Sequence, residues 1–264
     1  MSLWSRLRDA RYAAPGVLGA WLPAPDAAWA VRRAGPDAVF GHFHRNDATS
    51  EAVLAAHRAL AEALRGTGAW LAVKAPAMGL SAQGLGDLAA TGVPLMLDAH
   101  APGQAEATLA LARSCPGVGC ALPARWRRSL ADAAALRDTP APLRLVKGEW
   151  ADPEGDPPDL RAACLTLATL LAGRGAPVVV ASHDPALVGP ALDLLLAAGT
   201  PCVLEQLRGL PRRRTMALAR ARGVPVRIYH PTGPGWWPYA IDKALARPYL
   251  PLWWWRDRCG LPDR

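Results

Sequence analysis

Along the chain, apolar runs of five to eight residues alternate with polar turns and with Ala/Leu-rich stretches of helical period, and the unit recurs eight times. The runs are AVFGHF (38–43), AWLAVKA (69–75), PLMLDA (94–99), GVGCALP (117–123), LRLVKG (143–148), PVVVASH (177–183), PCVLEQL (201–207) and PVRIYHP (225–231). Short apolar runs bounded by turn residues read as strands buried on both faces. Helices are predicted over 48–65, 82–91, 102–114, 127–137, 157–174, 185–198, 211–222 and 236–247. Several stop at a glycine (Gly66, Gly92, Gly175, Gly199, Gly223), which takes the left-handed conformation past a helix end at little cost. Those after the third, sixth and seventh strands open on Pro, whose missing N–H is harmless in a first turn.

Strands alternating with helices imply right-handed crossovers and a parallel sheet. Eight units predict the α/β class and a closed (β/α)8 TIM-type barrel, a fold of about 250 residues; the chain has 264. No G-x-G-x-x-G follows the first strand, which counts against an open dinucleotide-binding sheet. The expected organisation is a short N-terminal helical segment over 1–34 capping one mouth, the barrel over 35–248, and a Trp-rich C-terminal tail over 249–264.

Composition adds limits. A hydrophobic content of 51% supports a large core. The net charge of +8 attracts anionic partners in general. Apart from Arg125, Arg127 and Arg128, and Arg212 to Arg214, the arginines are scattered and accompany no nucleic-acid motif. A solvated basic surface is therefore the reading, with no nucleic-acid partner. Five cysteines, an odd number without zinc-ligand spacing, read as reduced thiols in a cytoplasmic protein. The N-terminal stretch lacks the apolar core of a signal peptide, and no run approaches the roughly 18 apolar residues of a transmembrane helix. The strings WWPY (236–239) and WWW (253–255) raise peripheral membrane contact, because Trp favours interfaces. Trp at a barrel mouth reads first as core or lid, so that contact is the weaker reading. The acidic stretch 152–159 lacks calcium-ligand spacing and reads as a rigid turn before a helix.

In such barrels chemistry sits at the C-terminal ends of the strands. In strand order those ends carry His42 and His44; Lys74; Asp98 and His100; Arg125; Arg144, Lys147 and Glu149; His183 and Asp184; Glu205, Gln206 and Arg208; and Arg227, Tyr229 and His230. One such residue merely solvates a strand end, but eight strands each delivering one point to a site. Lys74 and Asp98 end adjacent strands and are expected to form a buried ion pair, a feature of functional sites. Arg144 and Lys147 set two positive groups along one strand. Glu149 is read as turned to the other face, pairing with a helix.

Several strings then fit together. LAVKAPAMG (71–79), PLMLDAH (94–100), LRLVKGEW (143–150), VVVASHD (178–184), LEQLRGL (204–210) and VRIYHPTGPGWWPYAIDKALARP (226–248) occur in the order and at the intervals of one family. The chain resembles the proline dehydrogenase family, flavin-dependent (β/α)8 barrels that oxidise L-proline. The resemblance implies FAD, a small-molecule amine or amino-acid substrate, and a quinone or another electron acceptor. It implies that Lys74, Asp98, Tyr229 and Tyr239 form the catalytic pocket, with Trp150, Leu207, Asp242 and Lys243 in contact with substrate. It implies that Arg144, Val146, Lys147, Gly148, His183 and Asp184 hold the cofactor. Fixed cations beside a flavin stabilise its reduced, anionic form, and a glycine lets a flat ring approach the backbone.

The departures are specific. Asp242 and Lys243 stand where the family carries two arginines that clamp the proline carboxylate, and Ala246 stands for a glutamate. Pro123 replaces a glutamine that contacts the flavin, while Glu149, Trp150 and Ala151 replace alanine, tyrosine and tryptophan. An arginine forks a carboxylate; lysine offers a point charge and aspartate repels. Three functions follow: a flavin-dependent oxidation of proline, a proline-like derivative or a cyclic amine; a barrel without flavin that does acid–base chemistry or serves as a partner subunit; and a metal-dependent hydrolase using His42, His44, His183 and His230.

Overall fold

A computed structural model of the chain describes residues 21–25, 27–33, 35–98, 100–247 and 249–261. Eight parallel strands close into a barrel in sequence order: β1 (Ala38–His42), β2 (Trp70–Val73), β3 (Leu95–Leu97), β4 (Gly119–Pro123), β5 (Leu143–Val146), β6 (Val178–Ala181), β7 (Cys202–Leu207) and β8 (Val226–Thr232), with β8 pairing back on β1. All eight lie within the predicted runs or one residue past their ends. Helix α1 (Ala27–Arg33) precedes the barrel; α2 (Ser50–Leu64), α3 (Ala82–Ala89), α4 (Ala105–Ser114), α5 (Ser129–Leu136), α6 (Leu160–Leu171), α7 (Pro185–Ala197), α8 (Arg213–Ala221) and α9 (Trp236–Leu245) follow the successive strands. The Trp-rich tail forms α10 (Leu250–Arg258). Of the expected N-terminal segment, residues 1–20 lie outside the described residues.

Local chemistry sets the helix starts. Thr49, Ser81, Asp159 and Asp184 each accept a backbone N–H of the first turn and so satisfy an otherwise orphaned donor. Three details differ from expectation. Pro102 opens a separate 3-10 turn, and α4 itself begins at Ala105. Pro211 lies before α8, which begins at Arg213, and its carbonyl is used elsewhere. After α6 it is Gly173, not Gly175, that turns left-handed.

Side chains alternate across each strand, so the barrel has two cores. Phe40, Leu71, Leu97, Leu122, Leu145, Val180 and Leu204 face the helices within the larger cluster. Val39, Trp70, Ala72, Met96, Val179 and Tyr229 fill the interior. The interior set is small because the inward positions nearer the C-terminal mouth carry charge. Within it Arg227 stacks on Trp70, 4.3 Å from the ring centroid. Among the described residues no helix is long and apolar enough to cross a membrane.

Candidate active site

Inward-facing residues at the C-terminal ends of the strands line a cavity of about 290 Å3. Its floor is a charged cluster. Arg144 on β5 is 1% exposed and donates to Glu205 Oε2 on β7 at 2.9 Å, while its other terminal nitrogen lies 3.4 Å from Asp98 Oδ2. Tyr229 on β8 donates to the same Asp98 oxygen at 3.5 Å. Burial alone would weaken the Arg144 cation, but Glu205 and Asp98 outweigh it and hold the guanidinium protonated. Burial pushes the Glu205 carboxyl up, with Asp98 adding to the rise and Arg144 opposing it. The Tyr229 phenol is raised well above its ordinary value, by burial first and then by Asp98. Room for that phenol comes from Gly41 on the neighbouring strand: a Cβ there would overlap the Tyr229 hydroxyl.

Lys74 follows β2 with its ammonium 3.5 Å from the centroid of the Phe43 ring. Asp98 pairs with Arg144, and Lys74 feels Asp98 and Glu149 as neighbouring charges. Burial lowers the Lys74 pKa, and those two carboxylates only partly restore it. His100 lines the same wall, edge-on to Trp126 at 5.4 Å, with its pKa lowered by burial.

The lid comes from two segments. Gly233 and Gly235 lie so close to the chain after β1 that a Cβ at Gly235 would strike the His44 carbonyl, and Gly235 N–H donates to Phe43 O at 2.8 Å. That fit seats α9 over the mouth and brings Tyr239 to 5.1 Å from Phe43, ring to ring. Opposite, the chain leaves β5 through Gly148 (φ 97°). Arg125 binds Asp156 and donates to Glu149 O at 3.0 Å, and Trp126 Nε1 donates to Trp150 O at 2.9 Å. Asp152 accepts the N–H of Arg127, and Asp159 caps α6, so the acidic stretch is a braced turn before a helix, as expected. Glu149 thereby faces the cavity and meets a helix after all: its carboxylate lies 2.9 Å from Lys243 Nζ on α9. Lys243 is also 3.7 Å from Asp242 and 5.1 Å from the centroid of the Tyr239 ring.

The cavity therefore brings together Lys74, Asp98, Arg144, Val146, Gly148, Trp150, His183, Leu207, Tyr229 and Tyr239. Asp242 and Lys243 lie on its lid and border the two adjoining cavities, of about 740 and 810 Å3. Two expected cofactor residues fall elsewhere. Lys147 is exposed and does not line the cavity, because an odd spacing from Arg144 turns it to the opposite face of β5. Asp184 caps α7 through Ala186 N–H and binds Arg161 at 2.5 Å. His183 reaches the wall with both nitrogens engaged. The Leu207 N–H must donate to Nε2 (2.9 Å), so the proton sits on Nδ1 and goes to Pro211 O (2.6 Å). Both ring nitrogens are thus occupied, and burial lowers the pKa.

The metal reading fails on the same alternation. Val39, Gly41 and Phe43 point inward, so His42 turns outward to α2, edge-on to His57 at 5.8 Å. Among the described residues no three His, Cys, Asp or Glu side chains converge as a metal site. Glu205 was visible as a charge inside a strand, two positions from the inward Leu207, and that parity was the signal for it. Phe43 carried no signal in the sequence.

No family model matches the sequence, and neither does any curated protein. Solved structures do match. A structure of proline utilization A with proline bound in remote sites gives a TM-score of 0.66 at 17% identity, covering 83% of this chain and 30% of that one. A variant of the Bradyrhizobium japonicum protein gives 0.66 at 17% identity, covering 89% and 32%. The Corynebacterium freiburgense protein gives 0.68 at 16% identity, covering 96% and 32%. The likeness is one of fold. The chain spans about a third of the length of these proteins.

Proposed function

We propose that this barrel is a flavin-dependent oxidoreductase of the proline dehydrogenase type, oxidising a small amine or amino acid. The observation that carries the reading is an orphaned donor beneath an open wall. Arg144 Nε is buried and finds no hydrogen-bond partner among the described residues. Beside it Ala121, Pro123, Val146, Gly148 and Ala181 give β4, β5 and β6 a wall of small side chains. A planar, acceptor-bearing ring suits both features, so the residues fit the isoalloxazine of FAD. The fold shared with proline utilization A agrees with it.

Bound FAD would supply the hydride acceptor. Arg144 would donate to the ring and hold negative charge there. Val146, Gly148 and His183 would form its wall. Lys74, Asp98, Tyr229 and Tyr239 would hold the substrate, with Leu207 and Trp150 as flanking surfaces and Asp242 and Lys243 on the lid. The substrate would give up hydride from the carbon next to nitrogen, the nitrogen lone pair would form the C=N bond, and an N–H proton would pass to solvent. A quinone or another acceptor would take the electrons onward.

The test is the visible flavin absorbance of purified protein, before and after incubation with FAD. A flavin band that bleaches with substrate is expected. Protein that stays colourless after FAD addition overturns the reading and leaves a flavin-free barrel whose half-buried Lys74 and Asp98 and buried Glu205 serve acid–base chemistry.

A further inference from the structure

The charges around the cavity are arranged for a cation. The cationic groups at the cavity and on the lid helix are Lys74, Arg144 and Lys243, with Arg247 past the helix end acting on Tyr239 and the two lining histidines, His100 and His183, kept from charging by burial; the acidic ones are Asp98, Glu149, Glu205 and Asp242. Lys74, Arg144 and Lys243 each have acids nearby. Arg144 is bound by Glu205 and Asp98. Lys243 is bound by Glu149 at 2.9 Å and flanked by Asp242 at 3.7 Å. Lys74 lies against Phe43 and feels the charges of Asp98 and Glu149. A carboxylate that reaches for Lys243 must displace Glu149 and then sit beside the displaced acid. An ammonium meets the opposite situation: acidic neighbours, and the rings of Phe43, Tyr229 and Tyr239, two of which already carry a lysine on their faces.

We propose that the substrate is a cationic amine without a carboxylate, and that Glu149 is the specificity-determining residue that removes Lys243 from carboxylate recognition. This rests on the reading above in placing the substrate in this cavity. The adjoining cavity, which shares Phe43, Lys74, Glu149, Trp150 and Tyr239, offers space for a longer tail.

The test is calorimetric titration of the purified protein with pyrrolidine and with L-proline, two rings that differ by one carboxylate. Pyrrolidine is expected to bind about tenfold more tightly, the size of one charge-assisted contact. Glu149→Gln frees Lys243 and should narrow or reverse the preference, with Lys243→Met as the control that restores discrimination against proline. Equal or tighter binding of proline by the unaltered chain, or no binding of pyrrolidine, overturns the inference whether or not the variants fold. The two readings separate cleanly. Coloured protein that prefers proline sinks this inference alone. Colourless protein that prefers pyrrolidine sinks the flavin reading alone.

Discussion

Arg144 and Glu205 meet at 2.9 Å inside the barrel, reaching across β6 from β5 and β7. The inward residue of β6 beside Glu205 is Ala181, small enough to leave the space between them open. A buried ion pair adds little net stability, because desolvation offsets the attraction, but breaking it leaves one charge stranded. Arg144→Leu should therefore cost about 3–5 kcal/mol. Arg144→Leu with Glu205→Leu should recover most of that, since half-buried Asp98 retains access to water. Urea unfolding of the three proteins checks this; a double variant no more stable than Arg144→Leu contradicts it.

Gly41 and Tyr229 are coupled by space rather than charge. Any Cβ at position 41 occupies the volume of the phenol. Gly41→Ala should push Tyr229 off Asp98 and cost about 1–3 kcal/mol through overpacking. Gly41→Ala with Tyr229→Leu should regain the stability but not the ligand binding, because the hydroxyl that meets Asp98 is gone. Thermal melting and ligand titration on the same samples separate the two effects.

The barrel was legible because every strand is a short apolar run and several helices stop at a glycine. The site was legible only where strand parity was respected. Arg144, Val146, Tyr229 and Leu207, all inward by parity, line one cavity. Lys147 was read beside Arg144 although an odd spacing puts it on the other face, where it is exposed. Asp184 follows a strand and precedes a helix, a position that fits a cap as well as a ligand contact, and the cap is what forms. The bond between Glu149 and Lys243 joins residues almost a hundred positions apart and depends on how α9 is seated by Gly233 and Gly235. No periodicity encodes that.

His57 predicts the pH dependence of stability. It is fully buried, donates from Nδ1 to Val53 O at 2.8 Å, and burial first of all pulls its pKa down from 6.5 to about 4. The unfolded chain takes up this proton below about pH 6.5 while the folded chain does not. Stability is thus complete above that pH and lost as pH falls toward 4, by at most about 3 kcal/mol. His42 and His230, also lowered to about 4 mainly by burial, act in the same direction. His57→Leu should flatten but not abolish the slope. Unfolding midpoints measured from pH 7 to pH 4 test it; an unchanged slope assigns the dependence elsewhere.

Asp242 and Lys243 test the lid. A proline-like carboxylate needs a fork of parallel N–H donors, and at these positions α9 offers one lysine, already bound to Glu149. Lys243→Arg alone should change little, because Glu149 captures the new guanidinium as it captures the ammonium. Asp242→Arg with Lys243→Arg removes a repelling carboxylate, and the added positive charge exceeds what Glu149 can neutralise. Binding of L-proline should then tighten by about tenfold, the worth of one charge-assisted contact. Calorimetry on the single and double variants gives the answer. If the double variant binds proline no better than the unaltered chain, α9 does not present positions 242 and 243 to the substrate.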